Sequence, residues 1–175
     1  MNEEQTLCQG RFLRLAKRGR WEYVQRINAR CGVVIVAVTP DAHVLLVEQY
    51  RAPLGAPVIE MPAGLVGDDA GGEDEPVEKA ALRELEEETG WVAEGVQWLT
   101  EGPPSPGLAS EQLVFCRAHG LRREGAGGGD EFENIRVHAI PVGELLAWLD
   151  ARRSGGCLVD PKVYTGLFFI RGLFP

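Results

Sequence analysis

Hydrophobic and polar positions divide the chain into short segments of alternating character. Residues Trp21 to Ile27 (WEYVQRI) alternate in part and carry aromatic and β-branched side chains, which predicts a half-buried strand. Val33 to Thr39 is a nearly unbroken β-branched run, the pattern of a strand buried on both faces. Pro40, Asp41 and Ala42 predict a turn, and His43 to Tyr50 (HVLLVEQY) a returning strand, so a hairpin is expected here. Val58 to Met61 reads as a short strand that stops at Pro62, and the Gly- and Asp-rich stretch from Gly64 to Asp74 as a loop.

The clearest helix runs from Pro76 to Thr89. Pro76 suits its first position, Gly90 suits its C-cap, and Val77, Ala81 and Leu85 recur every four residues to mark one buried face. Val96 to Thr100 and Gln112 to Arg117 read as strands around the loop GPPSPGLAS. Gly125 to Asp130 (GAGGGD) reads as a mobile surface loop, Ile135 to Ile140 as a strand, and Val142 to Arg153 and Lys162 to Phe169 as helices. Strands outnumber helices and one helix sits among them, the arrangement of an α/β sandwich built on a mixed β-sheet. With no repeat and no Ser/Pro-rich linker, residues 1–175 are expected to form a single domain.

Composition adds limits. The four cysteines form no CxxC pair, and three histidines complete no evident zinc set. The N-terminus is polar and acidic, unlike a signal peptide, and the longest apolar run falls far short of the ~20 residues that span a bilayer. A cytoplasmic location with no membrane partner is expected. The formal net charge of -8 makes nucleic acid an unlikely main partner, since phosphate backbones attract basic surfaces. That charge is concentrated: eleven acids and two bases fall between Glu60 and Glu88, and the remainder of the chain is close to neutral. Residues Arg11 to Arg30 hold seven bases against one acid, which is most simply a solvated basic face.

Glu84, Glu87 and Glu88 stand at i, i+3 and i+4, so they share one face of the predicted helix and repel one another there. A charge run on a helix is most often a solvated face. A hard divalent cation removes the repulsion, however, because Mg²⁺ takes carboxylate oxygens in octahedral geometry and polarises the phosphoryl oxygens it touches.

At these residues the chain resembles the Nudix hydrolases. Glu75, Arg83, Glu84, Leu85, Glu87, Glu88, Gly90 and Trp91 fall in register with the Nudix box. The first glycine of that pattern falls on Asp69; Gly64 is the nearest candidate, which lengthens the loop. The resemblance implies a Nudix-type α/β/α sandwich with a catalytic loop-helix-loop. It implies metal ligands at Glu84, Glu87, Glu88 and the carbonyl of Ala63, with Arg83 pairing Glu75 to orient the carboxylates. Two or three Mg²⁺ are implied, with Mn²⁺ a possible substitute, and Glu86 points away into solvent.

Further stretches resemble the ADP-ribose pyrophosphatase and nucleoside diphosphate sugar hydrolase subfamily. Pro106 and Gly107, followed by Ser110 and Glu111, match its substrate loop. Arg51, closing Glu48-Gln49-Tyr50-Arg51, matches a phosphate contact, and Glu131 matches the general base, with Glu133 a second acid in the same loop. The subfamily is generally homodimeric, with N-terminal strands (here residues 1–30) crossing to the partner; Trp21 is a candidate base contact there, as are Phe12 and Tyr23, though each suits ordinary core packing. The implied reaction is hydrolysis of ADP-ribose or a related nucleoside diphosphate sugar to a nucleoside monophosphate and a sugar phosphate. Rival readings are a GDP-mannose or other nucleotide-sugar hydrolase, a non-catalytic ADP-ribose sensor, and a pyrophosphate-removing enzyme on RNA. The box glutamates argue against the sensor.

Overall fold

Each apolar run finds its partners in the computed structural model of the chain, which describes residues 3–68, 74–129 and 134–171. Three strands, β1 (Glu4–Gln9), β2 (Leu13–Arg18) and β3 (Trp21–Arg26), make an antiparallel sheet ahead of the rest. Next come β4 (Cys31–Val36), β5 (His43–Arg51), β6 (Ala56–Glu60) and β7 (Ala63–Val66). Helix α1 (Val77–Thr89) follows, then β8 (Trp91–Val92), β9 (Gly95–Gly102), β10 (Leu113–His119) and β11 (Arg122–Arg123). The chain ends through β12 (Arg136–Pro141), α2 (Leu145–Ser154), β13 (Leu158–Val159) and α3 (Pro161–Arg171).

Two four-stranded sheets, ordered β7-β4-β10-β9 and β12-β5-β6-β13, carry the core. Both are mixed: β10 runs parallel to β4, and β13 parallel to β6. Alternation along β4 sends Val33 and Ile35 to one face and Val34 and Val36 to the other. The first face packs on Ala80, Ala81 and Leu85 of α1. The second packs on Leu46, Ile59 and the inner faces of α2 and α3. The strand therefore has no solvent face, which is why its sequence reads as an unbroken apolar run. This is the expected α/β sandwich with mixed sheets. No helix among the described residues is long and apolar enough to cross a membrane.

Two expectations are corrected. The Pro40–Ala42 turn closes a short hairpin, with Val38 bridged antiparallel to Val44, the Thr39 N–H bonded to the His43 carbonyl at 2.8 Å and the Leu45 N–H to the Ala37 carbonyl at 3.0 Å, but the pairing does not extend along β4 and β5. They part into separate sheets, because the edges of β4 are taken by β7 and β10 and those of β5 by β6 and β12. The expected loop from Gly64 to Asp74 begins as strand: β7 pairs antiparallel with β4, Gly64 opposite Val33 and Val66 opposite Cys31. Leu65 and Val66 carried that signal, hidden between glycines.

The glycine-rich stretch after Glu124 also differs from a mobile loop over its described part. The N–H groups of Gly128 and Gly129 bond the carbonyls of Glu88 and Glu87 at 2.9 and 3.0 Å, satisfying acceptors that a helix leaves open at its C-terminus. Only glycine fits there. Gly127 has φ +69, and a Cβ on it would lie 2.4 Å from the Thr89 carbonyl carbon.

Candidate active site

Helix α1 is bounded by Pro76 and by Gly90, which adopts the left-handed conformation at φ 71 and returns its N–H to the Glu86 carbonyl. Burial of Leu85 against the sheet fixes the helix's rotation, and that rotation aims Glu84 and Glu88 at the turn between β6 and β7. Glu88 is 3% exposed, and its Oε2 accepts the Ala63 N–H at 2.9 Å. Glu84 lies over Gly64 so closely that a Cβ there would fall 1.9 Å from its carboxyl carbon. Glu87 is half exposed and Glu86 points to solvent, as expected for the latter.

Arg83 spans this face. Its guanidinium donates to Glu75 at 3.4 Å, Glu84 Oε1 at 2.9 Å, Glu87 Oε2 at 3.2 Å and the Leu65 carbonyl at 3.2 Å. Burial opposes charge on Arg83, but these acids outweigh it and raise its pKa further. Burial likewise opposes charge on Glu75, yet the Arg83 hydrogen bonds and the Gly67 N–H hold its carboxyl below the usual range. Glu84 goes the other way: burial, with Glu87 and Asp68 nearby, pushes it up to about 7 against the pull of Arg83.

A cavity of about 320 Å³ opens above these carboxylates. Arg51, Arg26 and Lys162 enter it as cations, and Glu60 and Glu111 as further acids. Arg51 Nε donates to the buried Glu60 at 2.7 Å, and Arg26 Nε donates to Glu111 at 2.7 Å. The Pro106–Glu111 loop reaches the cleft by docking on β3, where the Val24 N–H bonds the Leu108 carbonyl and the Ser110 N–H bonds the Val24 carbonyl.

The candidate residues named from the sequence thus fall into three groups. Ala63, Arg83, Glu84 and Glu88, with Arg51 and Glu111, line or border the one cleft, and Glu87 stands at its edge on the Arg83 guanidinium. Trp21, Pro106 and Gly107 line a neighbouring cavity of about 250 Å³. Glu131 and Glu133 lie outside the described residues, as does Asp69. Trp21 and Phe12 are exposed rather than core, and an arginine covers each ring. Glu60 and Arg26 were not singled out from the sequence, and Lys162 only as part of Asp160-Pro161-Lys162, which resembles the start of the subfamily's last helix and carries no evident chemistry. A buried acid at the end of an apolar strand was the available signal for Glu60; Arg26 carries none.

The donor set fits a hard divalent cation. Glu88 is a buried carboxylate and Glu84 a partly buried one, whose pKa burial raises even with the Arg83 guanidinium beside it. Among the described residues no three acidic, histidine or cysteine groups could by themselves hold a metal ion. Magnesium commonly binds through one or two carboxylates and keeps several waters.

The cleft thus sets carboxylates of α1 and β6 beside arginines of β3 and β5. Comparison with known sequences goes further: the NUDIX domain model matches residues 29–157, and the chain belongs to that family. It is 39% identical over 141 residues to the methanol dehydrogenase activator of Bacillus methanolicus, covering 80% of this chain and 71% of that one. It is 34% identical over 122 residues to the ADP-ribose pyrophosphatase of Bacillus subtilis, covering 69% of this chain and 63% of that one. The crystal structure of an ADP compounds hydrolase shares the fold, with a TM-score of 0.73 at 23% identity over 98% of this chain and 91% of that one.

Proposed function

We infer that this NUDIX protein hydrolyses the diphosphate bond of ADP-ribose or a related nucleoside diphosphate sugar, releasing a nucleoside monophosphate and a sugar phosphate. The observation that carries the reading is the pairing of Glu84 and the buried Glu88 with Arg51 and Arg26 in one cleft. Carboxylates alone repel a diphosphate, and arginines alone bind it without activating it; together they hold both a cation and its anionic partner.

Mg²⁺, or Mn²⁺ in its place, is the proposed cofactor, held by Glu84 and Glu88 with Glu87 and the Ala63 carbonyl assisting. When bound, such a cation neutralises charge on the diphosphate and polarises its phosphoryl oxygens. Arg83 orients Glu84 and Glu87 through its hydrogen bonds and keeps Glu75 ionised behind them. Arg51 presents a planar fork to the diphosphate from a position fixed by Glu60. The proton of the attacking water passes to a carboxylate of the segment after Gly129, Glu131 or Glu133.

The proposed assembly is a homodimer through residues 1–30. Leu7, Phe12, Leu13, Leu15 and Ile27 are exposed in that region, more apolar surface than a solvated sheet retains without use. A cytoplasmic setting is proposed on the four free cysteines.

The test is turnover by purified protein with Mg²⁺ of ADP-ribose, GDP-mannose, UDP-glucose and dinucleoside polyphosphates. ADP-ribose is expected to give the highest kcat/KM. GDP-mannose in first place would move the assignment to that substrate, and no turnover of any diphosphate would end the enzyme reading.

A further inference from the structure

A nucleoside diphosphate sugar sends two arms away from its diphosphate, and the cleft has a cavity on each side. On one side Gln25 and Ser110 line the cavity that holds Trp21, while their chain neighbours Arg26 and Glu111 line the cleft. On the other, a cavity of about 540 Å³ lies between the end of β9 and the start of α3, and shares Leu113 and Lys162 with the cleft. Both the Proposed function and the following assignment need the cleft to hold the diphosphate. On that reading, we propose that the larger cavity receives the sugar arm and that Lys162 binds the phosphate next to the sugar.

The chemistry of the two cavities sorts the arms. The first offers the exposed indole of Trp21, a flat apolar surface that suits a nucleobase. The second has its one aromatic ring, Phe115, buried in the floor, and its polar side chains are Thr100, Glu101, Asp160, Lys162 and Thr165. These hydroxyls and carboxylates match the hydroxyls of a sugar, each of which donates and accepts. Its volume lies within the range of small-molecule sites, ~300–1,000 Å³.

Lys162 stands where the two spaces meet. Asp160 fixes it twice: Oδ1 accepts the Lys162 backbone N–H at 2.8 Å, and Oδ2 pairs with Nζ. An ammonium has three donors, so one engaged carboxylate leaves two for a phosphate oxygen. Arg26 and Arg51 are held by Glu111 and Glu60, carboxylates that themselves line the cleft. The partner of Lys162 lies instead in the sugar-side cavity, so its charge is directed to that end of the diphosphate.

Product inhibition separates the arms. With ADP-ribose as substrate, Lys162→Met is expected to raise the inhibition constant of ribose 5-phosphate about tenfold, the loss of one charge-assisted hydrogen bond. The constant for AMP stays within about twofold, because that product occupies the other arm. Thr165→Trp, at an exposed position of α3, fills the groove without touching the charge or the core; it raises the same constant and the KM. A rise for AMP with none for ribose 5-phosphate reverses the arms and overturns the proposal, as does no change for either product in both variants. Failure of the wild-type protein to turn over any nucleoside diphosphate sugar brings down the reading of the cleft itself, a result distinct from either of these.

Discussion

Glu84 offers the sharpest test of how the site stores charge. Its carboxyl is pushed up to about 7 from an ordinary value of 4.5, with burial the largest cause. An acid whose folded pKa lies above its unfolded pKa binds protons more tightly when folded. Its contribution to stability is therefore fully present below about 4.5 and is lost as pH rises through about 7. The whole shift corresponds to about 3 kcal/mol, of which about 2 to 3 kcal/mol is lost between pH 5 and pH 8. Glu84→Gln removes this titration while keeping shape and most hydrogen bonding. In EDTA, the variant measured against wild type by urea unfolding is expected to gain about 2 to 3 kcal/mol in relative stability on going from pH 5 to pH 8. Magnesium should do the opposite. Ligand binding to the folded state stabilises by mass action, so wild type gains stability with added Mg²⁺ at pH 8 and the variant gains much less. A variant whose stability difference from wild type does not change with pH would refute the claim that burial of this carboxylate opposes its charge. Equal stabilisation of both proteins by Mg²⁺ would refute its role in holding the cation.

Other consequences follow from neighbouring atoms. Gly64→Ala places a Cβ in the space of the Glu84 carboxyl, at the flexible end of a side chain rather than against backbone. It should therefore cut kcat by at least about tenfold while costing under about 1 kcal/mol of stability, comparing turnover with a melting curve. Gly127→Ala meets the Glu88 carbonyl oxygen at 2.5 Å from a left-handed backbone, and no flexible atom can give way. It should cost about 1–3 kcal/mol, read by urea unfolding, with loss of hydrogen-exchange protection at the end of α1. Leu85→Ala opens a cavity under α1, where Leu85 is fully buried, and should cost about 2–5 kcal/mol in the same assay. Glu88→Gln keeps a carbonyl to accept the Ala63 N–H, so a folded protein with turnover reduced at least about a hundredfold is expected. A normal rate in that variant would contradict its assignment as a ligand.

The helix and its glutamates were legible because everything that specifies them is local. Pro76 and Gly90 bound it, Val77, Ala81 and Leu85 turn it toward the sheet, and the same rotation places Glu84 and Glu88 on the cleft side. The i, i+4 spacing is a distance along one rigid rod, so it survives from sequence into space. Sheet partners have no such encoding. The run at Val33 shows that β4 is buried on both faces, but β7 and β10 take its edges by outcompeting β5, which is joined to it by a closed turn. That outcome depends on the apolar content of residues dozens of positions away, and the glycines around Leu65 conceal one of the winners. The same reason explains the uneven view of the cleft. Its carboxylate wall comes largely from one helix and was readable, whereas its other wall is assembled from ion pairs such as Arg26 with Glu111 and Arg51 with Glu60, of which only Arg51 and Glu111 were read from the sequence. In each of those pairs the two members belong to different strands or loops, so which acid each arginine meets is set only once the strands have chosen their neighbours.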